Sequence, residues 1–377
     1  IQSTIRIKTR LGFEIECTKV HPLMVFGEKE GTGWKQAKDI EVGDRVKIRH
    51  SMEMYGENQE VSGDLARLMG YWVAEGSIYA PKNNVEFSTH SEWMADDIIS
   101  ICEGEWGYET KHRDGKRVIL SKKDIANLWI DKVLGGETSC NAYRKTVPAC
   151  IRRAPRDIQI EFLKGLFGGD GSFRQRSEAD GYVVSIGSAS KTLLQQVQMM
   201  LLNMGYVAGL SSYTHGYNGS TQWDLHLYGD QAILFAGDLE MCEEKLVDDY
   251  RERVLTGRSN FDLVHGVRDE ITTLVHLLPS NLKSKYARYG NTHSESNQRS
   301  FTKLGCDLFL GEVLQHGDHS SPDFSPAFAA VQMARADDAI WLDVISVEDG
   351  GEQEVGDLTV PKTHSFMSNG IISHNTQ

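Results

Sequence analysis

The sequence predicts a multidomain protein in which an all-β domain, formed by both ends of the chain, is interrupted by an α+β domain with pseudo-twofold symmetry. Three observations support this fold class. Short runs that alternate apolar and polar residues occupy residues 1–60 and return from residue 338. Helical periodicity begins near residue 61. The same order of elements then occurs twice before residue 250, which indicates an internal duplication.

The composition is that of an ordinary globular protein with two or three domains, because 377 residues with 40% hydrophobic and 25% charged residues can form more than one core. The 40 Lys and Arg against 53 Asp and Glu give a net charge of -13. This charge excludes non-specific attraction to nucleic acid over the whole surface, so a nucleic-acid site must be local. Six irregularly spaced cysteines without a C-x-x-C pair favour a reducing compartment, and no apolar run is long enough to cross a membrane, so we expect a cytoplasmic protein without membrane contact. We also expect a monomer.

The first 60 residues read as short strands. IRIKTR and GFEIECT alternate apolar and polar residues, and Gly43-Asp44 places a turn inside WKQAKDIEVGDRVKI. Cys17 falls within the second of these runs, so we interpret it as a small packed residue.

The middle of the chain reads as two αββαββα units. In the first, Leu65, Leu68 and Trp72 share one face of a helix. Its predicted elements are a helix at 64–74, a hairpin at 77–90, a helix at 91–103, a hairpin at 108–120 and a helix at 122–134. The second unit repeats them as a helix at 156–168, a hairpin at 172–187, a helix at 190–204, a hairpin at 206–229 and a helix at 230–237.

A shift of 95 residues lays LMGYWVAEGS (68–77) on LKGLFGGDGS (163–172). This shift equates Gly70 with Gly165 and Glu75 with Asp170. Small residues on both helices allow their backbones to approach closely, so we expect the two carboxylates to lie side by side where the helices end. An acidic residue at a helix end often only caps or solubilises it, but the repeated context favours a joint role.

Paired carboxylates of this kind could bind Mg²⁺ or Mn²⁺ and support hydrolysis of a phosphodiester. The predicted hairpins next to them carry basic residues that could contact phosphates, and alternation places Lys111 and Arg113 on one strand face. These candidate DNA-binding residues are Lys111, Arg113, Arg117, Arg174 and Arg176. For each of them taken singly, an ordinary solvated strand face is the alternative.

Residues 251–337 give a less regular pattern. Basic and aromatic residues alternate in SNLKSKYARYGNTHSESNQRSFTKLG, which includes Lys283, Lys285, Arg288, Arg299 and Lys303 with Tyr286, Tyr289 and Phe301. Such a segment is typical of an accessory DNA-recognition region, and a solvated connector is the alternative.

The end of the chain, HSFMSNGIISHNTQ, reads as a hairpin because Asn369-Gly370 is a strong two-residue turn signal. Pairing across this turn brings His374 and His364 close to Asn375. An Asn side chain can attack its own main-chain carbonyl and cut the following peptide bond when donors polarise that carbonyl and protonate the leaving amine. An ordinary terminal hairpin is the alternative.

LARLMGYWVAEGS and FLKGLFGGDGS resemble the two LAGLIDADG motifs of homing endonucleases, and RKTVPACI and LLQQVQMMLLNMGY are similar to neighbouring blocks of that family. The resemblance covers about residues 61–250. It implies cleavage of double-stranded DNA with Mg²⁺ or Mn²⁺ by one metal-bound acid from each motif, Glu75 and Asp170. It also implies an accessory catalytic role for Lys145.

GFEIECTKVHPLMV resembles the T-x-x-H block of inteins, and the end of the chain resembles their C-terminal splicing blocks. The resemblance implies that Thr18 and His21 act at the upstream splice junction. It also implies that Asn375 is the last intein residue and that Thr376 is the first extein residue and a hydroxyl nucleophile. Splicing of this kind needs no cofactor.

The two resemblances together imply a Hint splicing domain at 1–60 and 338–375, an endonuclease at 61–250, a connector or accessory region at 251–337 and a C-extein at 376–377. The expected activities are self-splicing through cyclisation of Asn375 and site-specific cleavage of the intein-free host gene. The expected partners are double-stranded DNA and the flanking exteins.

Inteins begin with a nucleophilic Cys or Ser and strands that precede the T-x-x-H block, whereas this sequence reaches that block within a few residues. The resemblance therefore implies an intein that lacks its N-terminal piece, and a split gene, an incomplete reading frame and a trimmed sequence are the alternatives. For a split gene, the expected partner is a separate N-terminal intein fragment. The alternatives for the whole protein are a catalytically inactive remnant, a DNA-binding module that retains the LAGLIDADG fold, and an autoprocessing Hint protein unrelated to homing. The duplication disfavours the last of these.

Overall fold

The computed structural model of the chain describes residues 1–27, 31–177, 181–216, 219–240, 263–287, 289, 301–337, 339–356 and 358–375, with the backbone alone at 27, 31, 176 and 177. It divides into two compact units, residues 1–50 with 255–377, and residues 51–254. The first division falls ten residues before the boundary expected from the sequence. The residues after the division pair with the central unit, because the N–H groups of Ser51 and Glu53 donate to the carbonyl oxygens of Leu202 and Asn203 at 2.9 and 3.1 Å.

The described part of the terminal unit contains eight strands that come from both ends of the chain. They are β1 (Gln2–Thr9), β2 (Glu14–Thr18), β3 (Pro22–Gly27), β4 (Gly31–Gln36), β5 (Arg45–Arg49), β14 (Ala339–Gln353), β15 (Ser365–Ser368) and β16 (Ile371–His374), with labels that number along the whole chain. Their order in the sheet is β15-β16-β3-β5-β14-β1-β2, and β4 pairs with β3. Inward-facing residues such as Ile7, Val46 and Ile340 are completely buried, as the alternating pattern predicts.

Strand β14 joins the two ends of the chain. Its first five residues pair with β5 in antiparallel register, with Ile340 opposite Ile48. Its remaining length pairs with β1, with bulges beside Ile5 and Thr9. Both ends of the chain therefore contribute to one sheet, as the returning β pattern indicates.

The described residues between 263 and 337 form helices with an apolar core, so this part of the chain is not a solvated connector. Four helices, α8 (Arg268–His276), α9 (Ser280–Tyr286), α10 (Lys303–His316) and α11 (Phe324–Ala336), enclose an apolar core, so the terminal unit is not all-β. Tyr286 and Phe301, for which a nucleic-acid contact is one of the two expectations from the sequence, are 5% and 2% exposed. Tyr289 stacks on Phe301 with ring centroids 3.9 Å apart. These aromatic rings pack in the core and cannot stack on bases, while Arg288 and Arg299 lie outside the described residues.

The central unit has the predicted double αββαββα order. The first half contains α1 (Gly63–Glu75), β6 (Gly76–Tyr79), β7 (Asn84–Ser88), α2 (Glu92–Trp106), β8 (His112–Arg113), β9 (Arg117–Ser121) and α3 (Lys123–Leu128). After the short α4 (Ala149–Arg152), the second half contains α5 (Arg156–Asp170), β10 (Gly171–Ser177), β11 (Gly181–Ser188), α6 (Lys191–Asn203), β12 (Gly209–Thr214), β13 (Thr221–Tyr228) and α7 (Asp230–Asp238).

The two halves share one topology. The sheet orders β6-β7-β9-β8 and β10-β11-β13-β12 are equivalent, which confirms the duplication read from the sequence. One element differs, because the helix expected over 122–134 ends as α3 at Leu128 and continues as a π-helical turn from Trp129 to Val133. Trp129 is completely buried, so this turn aims a large aromatic side chain into the core.

No described helix is both long and apolar enough to cross a membrane.

Helices α1 and α5 pack backbone against backbone. A β-carbon added to Gly70 would overlap the main-chain oxygen of Phe162, and one added to Gly165 would overlap that of Arg67. The aligned small residues of the two repeats thus meet at one crossing, as expected from the repeat. Only glycine fits at either position without moving a helix.

We therefore expect Gly165→Ala to destabilise the central unit by about 1–3 kcal/mol, because the added methyl group meets a main-chain oxygen that cannot move by side-chain rotation. Calorimetry on the full chain would show a lower unfolding temperature. Gly104→Ala on α2 is the matched control, since a β-carbon there meets no atom within 4 Å. It should leave stability unchanged or raise it by about 0.5–1 kcal/mol through helix propensity. Equal stability of the two variants would contradict the packing described here.

Candidate functional sites

The paired acids lie where the sequence predicts them. Glu75 is the last residue of α1 and Asp170 the last residue of α5, and the chain turns directly into β6 and β10 after them. Both side chains are exposed. A β-carbon added to Gly169 would lie 3.6 Å from Glu75 Cγ, so the end of α5 lies next to the Glu75 side chain. The close helix crossing thus brings the end of α5 next to the Glu75 side chain, and both acidic side chains face solvent.

Lys145 lies at the same helix end. Its Nζ donates to the carbonyl oxygens of Ala74 at 3.0 Å and Trp72 at 3.4 Å, and it lies 5.5 Å from the centroid of the Trp72 ring. Burial lowers the pKa of Lys145, while the negative charges of Asp170 and Glu75 act in the opposite direction. The ammonium group is therefore held within the field of both carboxylates, beside the negative end of the α1 dipole.

A cleft of about 460 Å³ opens beside this group. Lys145 and Asp170 line it together with Ala74, Tyr143, Tyr213 and Gln222. Ser190 Oγ donates to the main-chain oxygen of Lys145 at 2.7 Å and so fixes the backbone at the edge of the cleft.

The donor set suits a hard cation bound jointly with a substrate. Within the described parts of the chain, no group of three or more His, Cys, Asp and Glu residues could hold a metal ion by itself. Mg²⁺ commonly takes one or two protein carboxylates, phosphate oxygens and several waters. Glu75 and Asp170 fit that requirement, because both are oxygen donors and both are exposed.

Four of the five predicted basic residues lie on strands, two in each sheet of the central unit. Arg113 and Arg117 oppose each other directly across the β8–β9 hairpin, and Arg117 forms an ion pair with Glu86 at 3.4 Å. Like charges directly opposite each other are unfavourable, so this pair is better suited to an anionic partner than to stabilising the hairpin. Arg174 is exposed on β10. Lys111 was expected on the same strand face as Arg113, but it precedes β8, which spans only His112–Arg113. Only the backbone of Arg176 is described.

The C-terminal hairpin forms in the predicted register. Ser365 pairs with His374 and Ser368 with Ile371, and Asn369 and Gly370 have φ values of 49° and 84°. The turn is anchored to the sheet at two points. Asn369 Nδ2 donates to the Glu14 carbonyl at 3.0 Å, and the Arg49 N–H donates to the Gly370 carbonyl at 3.1 Å.

Asn375 lies at the base of this hairpin and is only 8% exposed. Its N–H donates to the His364 carbonyl at 2.8 Å. His374 Nδ1 lies 2.9 Å from the main-chain oxygen of Asn375, and the two histidine rings are 6.0 Å apart. When Nδ1 carries a proton it donates to the carbonyl that would be attacked in asparagine cyclisation. Thr376 lies outside the described residues.

Two contacts at this site were not predicted from the sequence. The carboxamide of Asn375 makes two hydrogen bonds with the main chain of Val360, from Val360 N–H to Oδ1 and from Nδ2 to the Val360 carbonyl, both at 3.3 Å. The Trp34 ring lies edge-on to His374 with centroids 4.9 Å apart. The only sequence signal for the first contact is Pro361, which favours an extended conformation of the preceding residue.

The residues expected at an upstream junction lie in the turn between β2 and β3. Thr18 ends β2, and its carbonyl accepts the N–H of His21 at 3.0 Å. The His21 ring lies 5.9 Å from that of Phe366 on β15, so the turn reaches the C-terminal hairpin. Cys17 next to Thr18 is half-buried, and burial raises its pKa to about 12. It therefore stays a thiol at neutral pH, which fits the packing role inferred from the sequence.

Two curated relatives match almost the whole length of this chain. DnaB, the replicative DNA helicase of Rhodothermus marinus, is 22% identical over 397 residues that cover 100% of this chain and 40% of the helicase. The DNA gyrase A protein of Mycolicibacterium flavescens is 25% identical over 391 residues that cover 99% of this chain and 66% of the gyrase protein. The chain thus spans less than two thirds of either relative.

Among solved structures, I-DmoI in complex with DNA and Mn covers 47% of this chain and 96% of its own, with 18% identity and a TM-score of 0.34, too low to establish a common fold. The family model for the intein splicing domain matches residues 2–375. Because this match extends over nearly the whole chain, the protein belongs to the intein splicing domain family.

Proposed function

We propose that this intein cleaves the peptide bond after Asn375 by asparagine cyclisation and that its central unit cleaves double-stranded DNA. The observation that carries the first part is the contact between His374 Nδ1 and the main-chain oxygen of Asn375 at 2.9 Å. Since Asn375 is buried and its carboxamide is hydrogen-bonded, the reacting groups are held in place before reaction begins.

In this reaction Asn375 Nδ2 forms a bond to the main-chain carbon of Asn375. The bond from that carbon to the nitrogen of Thr376 breaks, and a proton passes from Nδ2 to the leaving amine, so the chain ends in an aminosuccinimide. His374 stabilises the negative charge that develops on the carbonyl oxygen. His364 is the candidate acid for the leaving amine, because its ring lies beside that of His374. Thr18 and His21 are assigned to the upstream junction, from which Thr376 would receive the acyl chain.

The C-terminal reaction can be tested on the chain alone with a tag fused after Gln377. We expect slow release of a fragment that begins at Thr376, no release from Asn375→Ala, and release about 100-fold slower from His374→Ala through loss of the polarising donor. Mass spectrometry identifies the new terminus. Asn281→Ala on α9 is the control and should match wild type. Release from Asn375→Ala at the wild-type rate would point to an outside protease and contradict the proposal.

The proposed DNA cleavage is supported by the duplicated carboxylates, since one acid per half suits one cut per strand. Glu75 and Asp170 would hold Mg²⁺ or Mn²⁺, which supplies charge neutralisation on the phosphate and an activated water. Lys145 places a positive charge beside both acids and can stabilise the leaving oxygen. Arg113, Arg117 and Arg174 extend the positive charge along the two sheets and would contact backbone phosphates.

We expect the protein with Mg²⁺ to cut both strands of the host gene from which its own coding sequence has been deleted. Asp170→Asn and Glu75→Gln should each lower cleavage by at least about 100-fold while DNA binding in a gel-shift assay persists, because the charge that holds the metal is lost. Asp157→Asn at the start of α5 is the matched control and should cleave like wild type.

Undiminished cleavage by Asp170→Asn would contradict the assignment of that residue. Tight binding by the wild-type protein without any cleavage would instead favour the second candidate, a DNA-binding module that retains the duplicated fold but not its chemistry.

A further inference from the structure

We propose that the main chain of Val360 selects the reaction of Asn375, directing it to cleave the chain and protecting it from deamidation. This inference rests on the proposed cleavage after Asn375 and adds a positioning residue to it. The site is formed by two hydrogen bonds to a side chain that is 8% exposed, so the carboxamide has little access to water as an alternative partner.

The two hydrogen bonds form a complementary pair. Val360 offers one donor and one acceptor, and the Asn375 carboxamide meets them with its oxygen and its nitrogen, both at 3.3 Å. This pairing fixes the orientation of the carboxamide. In the reversed orientation Nδ2 would face the Val360 N–H, donor against donor, and Oδ1 would face the Val360 carbonyl, acceptor against acceptor. An aspartate at position 375 would likewise place an oxygen against the Val360 carbonyl.

The sequence at Val360 favours a conformation in which one residue supplies both bonds. Proline at position 361 favours an extended conformation of the residue before it. In an extended chain the N–H and the carbonyl of one residue point to the same side, as they do when paired strand residues exchange two hydrogen bonds. The carboxamide of Asn375 therefore pairs with Val360 as the peptide group of a neighbouring strand would.

Asn375 has two cyclisation routes. In the cleaving route, Nδ2 bonds to the main-chain carbon, the bond to the nitrogen of Thr376 breaks, and that nitrogen takes the proton. In the deamidating route, the nitrogen of Thr376 bonds to Cγ, the bond from Cγ to Nδ2 breaks, and Nδ2 leaves as ammonia with the proton from Thr376. The second route leaves the chain intact and, after hydrolysis of the imide by water, leaves an acid at position 375.

The Val360 contacts favour the first route for a geometric reason. Hydrogen bonds to an amide lie close to its plane, so they leave the nitrogen orbital that is perpendicular to this plane free to meet the main-chain carbon. The deamidating route breaks the bond between Cγ and Nδ2, so it removes the nitrogen that donates to the Val360 carbonyl. The cleaving route keeps that bond and can begin with both hydrogen bonds to Val360 intact.

The test uses the full chain with a tag after Gln377 and compares wild type with Val360→Pro, which removes the N–H but keeps the carbonyl. We expect cleavage after Asn375 to slow by about tenfold, the worth of one hydrogen bond to a reacting group, and deamidation of the uncleaved chain to rise. Mass spectrometry measures both products in one sample. Glu354→Pro, in an exposed position of the same segment outside these contacts, should keep the wild-type ratio.

A second variant distinguishes the effect of losing the Val360 N–H from any effect of the proline ring. Replacing the amide between Thr359 and Val360 by an ester, through ligation of a synthetic C-terminal segment, removes the same N–H and keeps the Val360 side chain. Hydrogen exchange at Ile371–His374 reports whether the hairpin stays folded in each variant. The same shift from cleavage to deamidation in a folded ester variant supports the proposal, including when Val360→Pro disrupts the hairpin.

Two results would count against different claims. A wild-type ratio of cleavage to deamidation in the folded ester variant would overturn the role of Val360 and leave the proposed cleavage standing. Failure of wild type to cleave at all would overturn the proposed function. In that case the rate of deamidation alone tests whether Val360 protects Asn375, and deamidation should still be faster in the ester variant.

Discussion

The pairing of β14 and β16 with strands from the start of the chain is the interaction on which the terminal unit depends. Ile340 opposes Ile48 across β14 and β5, and Ser373 opposes Leu23 across β16 and β3. These contacts close a very long loop, but the entropy of loop closure grows only with the logarithm of loop length. A large central unit between β5 and β14 therefore adds little to the cost of forming this sheet. The same pairing brings the hairpin that carries Asn375 next to the turn that carries His21.

Local patterns allowed much of the fold to be predicted. The duplication and its strand order follow from periodicity and from turns such as Asp114-Gly115, where both residues have positive φ as the hairpin requires. The boundary at residue 51 could not be predicted, since it depends on hydrogen bonds from Ser51 and Glu53 to the end of α6, which is distant in sequence. The helices at 268–336 were missed because Tyr286 and Phe301 are spaced among basic residues, and only the tertiary structure shows that their rings form the core.

The candidate site residues, like the elements of the fold, were predictable only where a local sequence pattern determines their position. Glu75, Asp170 and the register of His374 were predictable, because a repeat and a two-residue turn fix them locally. Val360 was not, since it contributes only main-chain atoms and any residue except proline carries them. The strand position of Lys111 was predicted wrongly because alternation alone does not show where a strand begins, and β8 is only two residues long.

The crossing of α1 and α5 also shapes how the two halves can diverge. Gly70 and Gly165 each occupy space bounded by the other helix, so a larger residue at one is acceptable only after the opposite helix shifts. Duplicated sequences can therefore drift apart on their outer surfaces and at the helix ends, where Glu75 already differs from Asp170 by a methylene, but not at the crossing. Among related chains, covariation should be strongest at these glycines and their neighbours, and the carboxylate positions should vary in length independently of each other.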